Sequence, residues 1–251
     1  MGPQHYVIGN WKMNGLVAGA CALAQTVLAG ARGCATQLAL CPPATSLGAV
    51  SAVLGRGPVM LGGQDCHPKA SGAHTGDVSA EMLADVGCGL VVVGHSERRT
   101  NHGERDDLVR AKAEAAHRAG LVAVICVGET LAEREAGRTR EILATQLHGS
   151  VSAGATATRT IIAYEPVWAI GTGKVASPAQ AAEAHGWIRS ELDTMTGAGG
   201  TFSILYGGSV KPENAADLFA LPGVDGALVG GASLDATQFL AIAAAAPRRG
   251  G

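Results

Sequence analysis

The segment 90–126, LVVVGHSERRTNHGERDDLVRAKAEAAHRAGLVAVIC, predicts a strand, a helix and a second strand in that order. Residues 90–93 and 121–126 are continuous apolar runs, which are typical of parallel strands covered on both faces. Residues 107–118 between them are rich in alanine and have helical periodicity, and Gly120 is a typical C-terminal stop. The segment therefore predicts one strand, helix and strand unit of an α/β fold.

The same unit recurs along the whole chain. Apolar runs alternate with Ala-rich segments of helical periodicity, and a last helix is predicted at about 234–246. The eight runs are residues 5–8, 37–40, 59–61, 90–93, 121–126, 160–164, 202–206 and 226–229. Eight strand-then-helix units with no linker favour a single closed (β/α)8 TIM barrel, with residues 1–251 as one domain, over a doubly wound sheet with a second domain.

The composition bounds the class of protein. Of the 251 residues, 47% are hydrophobic and 16% are charged, which is typical of a globular protein with a sizeable core. A net charge of -2 without a basic stripe argues against nucleic-acid binding. The first residues lack the layout of a signal peptide, and the longest apolar run, 239–246, is too short to cross a bilayer. We therefore expect a soluble, cytoplasmic protein with no nucleic-acid or membrane partner.

The cysteines predict neither disulfides nor a metal site. None of the six belongs to a Cys-x-x-Cys unit, and a chain of this length does not need disulfides for stability. We expect reduced thiols that act as small apolar side chains. The neighbouring His67 and His74 lack the paired spacing of zinc ligands, so no metal is predicted. The cysteines are Cys21, Cys34, Cys41, Cys66, Cys88 and Cys126.

Polar side chains follow three of the predicted strands where each strand ends. Strand 1 runs into Asn10 and Lys12, strand 4 into His95, and strand 6 into Glu165. Each residue alone is weak evidence, since surface lysines and glutamates keep loops soluble and a single histidine is more often structural. The active site of such a barrel lies at the C-terminal ends of its strands. A lysine, an imidazole and a carboxylate on that one rim therefore predict a catalytic site.

Strands 7 and 8 end in glycines, at 206–210 (YGGSV) and 229–232 (VGGA). Glycines allow backbone N–H groups to approach an anion, and the phosphate site of these barrels commonly uses these two loops. Ordinary tight turns are the alternative. Two such loops in the right places favour phosphate binding.

The loop after strand 6 predicts a lid rather than a nucleotide site. Residues 171–176 match G-x-G-x-x-A, but the glycines begin several residues beyond the strand, and Ser177 and Pro178 are typical of an N-cap and first helical residue. An apolar tip and a glycine-rich end could instead close over a substrate and expel water. The predicted lid comprises Pro166, Val167, Trp168, Ala169, Ile170, Gly171, Thr172, Gly173, Lys174, Val175 and Ala176.

These segments together resemble the signatures of the triosephosphate isomerase family, in family order and across the whole chain. The matching segments are 10–14 (NWKMN), 94–99 (GHSERR), 126–129 (CVGE), 164–174 (YEPVWAIGTGK), 206–210 and 229–231. The lid segment is highly specific, whereas the glycine pairs alone would be weak. Two departures, His102 in place of an expected Phe and Asp65 in place of a common Asn, do not touch the predicted chemistry.

The resemblance implies interconversion of dihydroxyacetone phosphate and D-glyceraldehyde 3-phosphate through an enediolate, in glycolysis and gluconeogenesis, without metal or organic cofactor. By the same resemblance Glu165 is the base, His95 is a neutral electrophile and Lys12 supplies positive charge. Asn10 and Glu97 support Lys12. The residues implied to bind phosphate are Gly171, Ser209, Gly230 and Gly231, together with Asn10 and Lys12.

Two local features are consistent with those implied roles. Ser96 is expected to cap a short helix that begins at Glu97, which would place His95 beside a positive helix end and disfavour its protonation. Glu165 under an apolar lid would lose water and become a stronger base.

Residues 64–79 (QDCHPKASGAHTGDVS) predict either a functional segment or an interaction arm. They are too long and too poor in periodicity for an ordinary connection. The resemblance implies a homodimer in which this arm enters the neighbouring subunit, with Thr75 at its tip near the partner's active site. A solvated loop on an active monomer is the alternative.

Two rival functions are weighed against this one. Another phosphosugar barrel, such as an epimerase or an indole-pathway enzyme, would share the phosphate loops but not Lys12, His95 and Glu165 together. A catalytically silent barrel that only binds a phosphorylated ligand would have lost one of the three. All three are present.

Overall fold

The computed structural model describes residues 2–170 and 176–246, and its centre is a closed barrel of eight parallel strands. Each strand pairs with the next along the chain, and the first strand closes the barrel against the last. The strands are β1 Tyr6–Asn10, β2 Gln37–Cys41, β3 Val59–Gly63, β4 Cys88–Val93, β5 Val122–Val127, β6 Thr160–Tyr164, β7 Ser203–Tyr206 and β8 Gly226–Val229.

Helices follow the strands and cover the outside of the barrel. Within the described residues they are α1 Val17–Gly30, α2 Leu47–Leu54, α3 Ala80–Asp85, α4 Ser96–His102, α5 Asp106–Arg118, α6 Leu131–Glu135, α7 Thr139–Ser150, α8 Pro178–Thr196, α9 Pro212–Phe219 and α10 Ala236–Ala245. Short 3-10 turns lie at Ala44–Ser46, Val167–Ala169, Gly199–Thr201 and Gly231–Leu234.

The predicted (β/α)8 barrel is confirmed, with all eight strands in the predicted order. Boundaries moved by at most two residues at each strand end, and α5 begins at Asp106, one residue before the predicted start. The predicted N-cap at Ser177 and first helical residue at Pro178 are also confirmed, with the Ser177 hydroxyl accepting from the Gln180 N–H.

The alternation of side chains along the strands determines which residues reach the barrel mouth. Ile8 on β1 and Ile161 and Ala163 on β6 belong to the buried cluster inside the barrel. Asn10 lies two residues after Ile8, and Glu165 lies two residues after Ala163. Their side chains therefore also point inward, above the end of the barrel core.

Two further features concern the class of protein. No helix in the described part of the chain is long and apolar enough to span a bilayer. All six cysteines are free thiols, and four of them are buried.

Candidate active site

A cleft of about 330 Å³ opens at the C-terminal ends of the strands. It brings together most of the side chains predicted from the sequence. Its lining includes Asn10, Lys12, His95, Glu165, Ser209, Gly230 and Gly231. Ile170, at the end of the described part of the lid, also lines it.

Glu165 lies directly after β6 and is almost fully buried, with 2% of its surface exposed. Its backbone N–H donates to the Val127 carbonyl at 2.8 Å, which extends the pairing of β5 and β6 by one residue. Two glycines make room for it. A Cβ at Gly128 would lie 1.7 Å from the Glu165 carbonyl oxygen, and a Cβ at Gly207 would lie 3.0 Å from Glu165 Cγ. Glycine at these positions therefore permits the carboxylate to sit between two strand ends.

The two carboxylate oxygens of Glu165 have different surroundings. Oε2 accepts a hydrogen bond from the Ser96 N–H at 2.8 Å. Oε1 lies 2.8 Å from His95 Nε2. One oxygen is thus held by the backbone, and the other faces the imidazole at the cleft.

His95 is itself the N-cap of α4. Its Nδ1 accepts from the Glu97 N–H at 3.2 Å, and the helix begins at Ser96. The expectation that Ser96 caps a helix beginning at Glu97 is therefore wrong by one residue, because an imidazole nitrogen takes the place of the predicted hydroxyl. An acceptor at Nδ1 assigns the proton of the neutral ring to Nε2, which faces Glu165.

The pKa values of the pair reflect burial and mutual attraction. Burial raises the pKa of Glu165, but His95, the Ser96 N–H and Lys12 together lower it further, so the pKa lies below its ordinary value. Burial lowers the pKa of His95, but the Glu165 and Glu97 carboxylates together raise it by more, so the pKa of His95 lies above its ordinary value. Glu165 is therefore ionised at neutral pH.

Lys12 has a strained backbone. Its φ of 53° makes it the only non-glycine residue with positive φ in the described ranges 2–170 and 176–246, and such a conformation costs roughly 1–3 kcal/mol. Its N–H donates to Asn10 Oδ1 at 3.1 Å, which explains one role of Asn10. Its Nζ forms an ion pair with Glu97. The charged end of Lys12 is thereby directed toward the cleft.

The opposite end of the cleft consists mainly of backbone. In the part of the chain that the structure describes, the N–H groups of Ser209 and Gly231 have no hydrogen-bond acceptor. Gly231 begins a 3-10 turn whose Ser233 hydroxyl donates to the Gly230 carbonyl at 2.7 Å. Free N–H groups at the start of a helical turn attract anions.

Comparison with known proteins shows to which family a chain with this arrangement belongs. The family model described as triosephosphate isomerase matches residues 5–246. The chain belongs to the triosephosphate isomerase family.

Its relatives in that family match it over nearly the full length. A triosephosphate isomerase of Rhodopseudomonas palustris (strain BisA53) is 56% identical over 246 residues, which cover 96% of this chain and 97% of that protein. One of Xanthobacter flavus is 55% identical over 240 residues, with coverage of 95% and 96%. The crystal structure of Bartonella henselae triosephosphate isomerase has a TM-score of 0.90 at 45% identity, and covers 96% of this chain and 98% of its own.

The start of the lid is anchored by a residue to which sequence reasoning gave no role. Glu129 is fully buried, and its Oε1 accepts from Trp168 Nε1 at 3.0 Å and from the Tyr164 hydroxyl at 3.1 Å. Arg134 pairs with the same carboxylate at 3.0 Å and lies 5.3 Å from the centre of the Trp168 ring. The family signature at 126–129 contained Glu129, but its spacing did not indicate this partner. Lid residues 171–175, including the predicted phosphate ligand Gly171, lie outside the described residues.

Gln64 was likewise missed, although it follows β3 directly. Its Nε2 donates to the carbonyl oxygens of Lys12 and Cys41, each at 2.8 Å. Its position directly after a predicted strand was the signal that could have indicated a role at the site. The partners could not be read from the sequence because they come from the loop after β1 and from the end of β2.

The predicted arm contains a group of side chains close enough to hold a metal. Ligand atoms of His67, His74 and Asp77 lie within 4.8 Å of one another. However, His67 Nδ1 accepts from the Lys69 N–H at 3.1 Å, which places the proton of a neutral ring on Nε2. Nε2 lies 3.8 Å from an Asp77 oxygen, so the arrangement favours a contact within the loop over a metal ligand.

Proposed function

We propose that this chain interconverts dihydroxyacetone phosphate and D-glyceraldehyde 3-phosphate, with Glu165 as the base. The single observation that supports this role most is the buried Glu165 carboxylate at the cleft, with Oε2 held by the Ser96 N–H and Oε1 facing His95 Nε2 at 2.8 Å. A general base needs a fixed oxygen within reach of the proton that it removes. The lowered pKa of Glu165 keeps that oxygen ionised at neutral pH.

The proposed step transfers one proton between adjacent carbons. Glu165 Oε1 removes the proton from the carbon beside the carbonyl, the C–H electrons form a carbon–carbon double bond, and the carbonyl electrons move to oxygen. In the resulting enediolate the hydroxyl proton passes to the neighbouring negatively charged oxygen, beside His95 Nε2. The Glu165 carboxylic acid then returns its proton to the neighbouring carbon while the first oxygen becomes the new carbonyl. No electrons leave the substrate, so the step requires no oxidant or reductant.

His95 and Lys12 are proposed to stabilise the charge that develops on oxygen. The His95 Nε2–H would donate to the carbonyl oxygen, and substrate between His95 and Glu165 would weaken the attraction that raises the His95 pKa. Burial and the Glu97 N–H at Nδ1 then both favour the neutral ring. The Lys12 ammonium would exchange its contact with Glu97 for the substrate.

The phosphate is proposed to bind at the phosphate end of the cleft, which is formed by Ser209, Gly230 and Gly231. The N–H groups of Ser209, Gly230 and Gly231 would donate to its oxygens, and Gly171 from the lid would add another. Backbone donors contact substrate and transition state equally, so they fix the position of the substrate without taking part in the chemistry.

The segment 166–176 is proposed to close over the bound substrate. Its described beginning is held at Trp168 by Glu129, which provides a fixed point about which the rest would move. Closure would expel water from the Glu165 carboxylate and increase its basicity.

We also propose that the chain is a homodimer. Thr75 is exposed, and Met13, beside Lys12, is 95% exposed. A depression of about 270 Å³ next to the cleft is lined by Lys12, Met13 and the base of the arm. An exposed apolar side chain beside a depression suits the arm of a second copy, and a two-fold dimer makes the contact reciprocal.

Thr75→Arg tests the dimer. A large charge at the tip of the arm would be buried without a partner, so we expect a monomer with weakened turnover although every catalytic residue is intact. Sedimentation with a turnover assay measures both. A Thr75→Arg protein that stayed dimeric and fully active would remove the arm from this role.

The remaining proposals concern the setting of the enzyme. We propose a single domain over residues 1–251 and a cytoplasmic location, without nucleic-acid or membrane partners. Free, mostly buried thiols suit a reducing compartment.

A coupled assay with purified protein tests the proposed reaction in both directions. We expect turnover of both triose phosphates without added metal, and turnover that survives a chelator. Failure to convert either substrate would contradict the proposal.

A further inference from the structure

We propose that Gln64 is a positioning residue that holds Lys12 in its left-handed conformation and thereby directs the Lys12 ammonium toward the substrate. This inference rests on the proposed function, in which Lys12 supplies positive charge. Gln64 is absent from the lining of the reactive cleft, so it acts through Lys12 and not on the substrate.

The strained backbone of Lys12 needs contacts that outweigh its own preference. A lysine has a Cβ and favours negative φ, yet Lys12 has a φ of 53°. The Lys12 N–H is held by Asn10 Oδ1, whereas its carbonyl oxygen is held by Gln64 Nε2. The two contacts fix the peptide groups on either side of the Lys12 Cα, which is what sets φ and ψ.

Gln64 is well placed to resist movement of that carbonyl. Its one amide nitrogen donates both hydrogens, to the carbonyls of Lys12 and Cys41, each at 2.8 Å. Cys41 ends β2 and also accepts from the Trp11 N–H at 3.1 Å, while Gln64 follows β3. The side chain thus ties Lys12 to the ends of two neighbouring strands. Two carbonyl acceptors also settle which amide atom is nitrogen.

The position of the Lys12 ammonium in the cleft depends on the backbone conformation of Lys12. A Cβ at Gly230 would lie 3.6 Å from Lys12 Cε, so the lysine stem crosses the cleft toward the phosphate end. If the Lys12 peptide relaxed to negative φ, the direction of the Cα–Cβ bond would change and Nζ would leave this line. Displacement of a charged group by about 1 Å can cost on the order of a hundredfold in rate.

Gln64 is also the first residue of the arm, so a purely structural role is the competing explanation. In that case its loss would loosen the arm and weaken the dimer, and activity would return when protein concentration drives association. Under the positioning role the deficit stays at every concentration, because Lys12 belongs to the same chain as Gln64. Concentration dependence therefore separates the two roles.

The test compares Gln64→Met with His67→Leu. Methionine keeps the length of the side chain and removes both donors, while His67→Leu alters the arm at the Lys69 N–H contact and touches nothing that holds Lys12. For Gln64→Met we expect kcat/KM to fall by about tenfold or more at every protein concentration. Binding of inorganic phosphate, measured by calorimetry, should weaken as well. His67→Leu should regain the parent kcat/KM at high concentration.

A crystal structure of Gln64→Met gives a readout that does not depend on activity, and we expect Lys12 with negative φ. Should that variant not fold, Gln64→Asn, which can reach one carbonyl at most, takes its place with a smaller expected loss. Activity within twofold of the parent, recovery at high concentration, or a weakened variant that retains positive φ at Lys12 would each overturn the inference. A parent protein without turnover would instead contradict the proposed function, and phosphate binding and the Lys12 φ would still decide the role of Gln64.

Discussion

The two ends of the cleft are built from different parts of the polypeptide. At the reactive end, the side chains proposed to do the chemistry are held by backbone N–H groups and one amide: the Ser96 N–H holds Glu165, the Glu97 N–H holds His95, and Gln64 holds the Lys12 backbone. At the phosphate end, glycines and free N–H groups form the surface. We infer that the reactive end determines the rate of the chemical step and that the phosphate end determines the affinity for substrate.

The largest expected effect is at the reactive end. Glu165→Asp withdraws the carboxylate by one methylene, and because Oε2 is tied to the Ser96 N–H, the shorter side chain cannot keep that contact and also reach the substrate. We expect kcat to fall on the order of a hundredfold with KM within about threefold of the parent. Steady-state kinetics with both triose phosphates measures this.

Glu114→Asp is the matched control, since Glu114 is exposed on α5 and is absent from the cleft lining. It should leave both constants unchanged. If Glu165→Asp kept kcat within twofold of the parent, Glu165 would not be the base.

At the phosphate end we expect a smaller effect, which changes KM and leaves kcat nearly unchanged. A Cβ at Gly208 would lie 2.3 Å from the Tyr206 hydroxyl oxygen, and the rigid Tyr206 ring is buried, so Gly208→Ala must displace the loop that precedes Ser209. We expect KM to rise about tenfold with kcat nearly unchanged, because backbone contacts to phosphate are equal in ground and transition states.

Gly154→Ala serves as its control, because an added Cβ there meets nothing within 4 Å. It should behave as the parent does. A Gly208→Ala protein that lost kcat and kept KM would reverse the assignment of the two ends.

The smallest expected effect is that of acid on kcat. Interactions with His95, Ser96 and Lys12 outweigh burial and hold the Glu165 pKa below its ordinary value, so the base remains ionised as the pH falls and is lost only below that value. A phosphate monoester takes up its second proton near pH 6. Between pH 7 and 5 we therefore expect kcat to change less than about twofold while kcat/KM, which also reports the raised pKa of His95 in the free enzyme, falls about tenfold or more. Parallel losses of both constants would show that a group at the reactive end titrates in this range.

Much of this architecture could be predicted from the sequence. The eight apolar runs gave the strands because parallel strands are buried on both faces, and Lys12, His95 and Glu165 follow from the rule that catalytic residues lie at strand ends. These signals are local in the chain, which is why they can be read without a structure.

The supporting contacts could not be predicted, because each joins residues far apart in sequence. Gln64 reaches Lys12 across 52 positions and Glu129 reaches Trp168 across 39. The sequence did not indicate that His95 is the N-cap of α4. Serine is the more common capping residue, and an imidazole acceptor has no sequence signature. The side chains that do the chemistry are thus readable from position, whereas the ones that hold them require coordinates.

Isomerisation in deuterium oxide tests the central claim most directly. Proton transfer through Glu165 passes the substrate proton to a carboxyl group, which can exchange with solvent while the enediolate exists. We predict deuterium at carbon 2 of the D-glyceraldehyde 3-phosphate formed from dihydroxyacetone phosphate, at a rate that falls in Glu165→Asp together with kcat. Product without deuterium at that carbon, formed by Glu165→Asp at the rate of the parent, would contradict the role of Glu165 as the base.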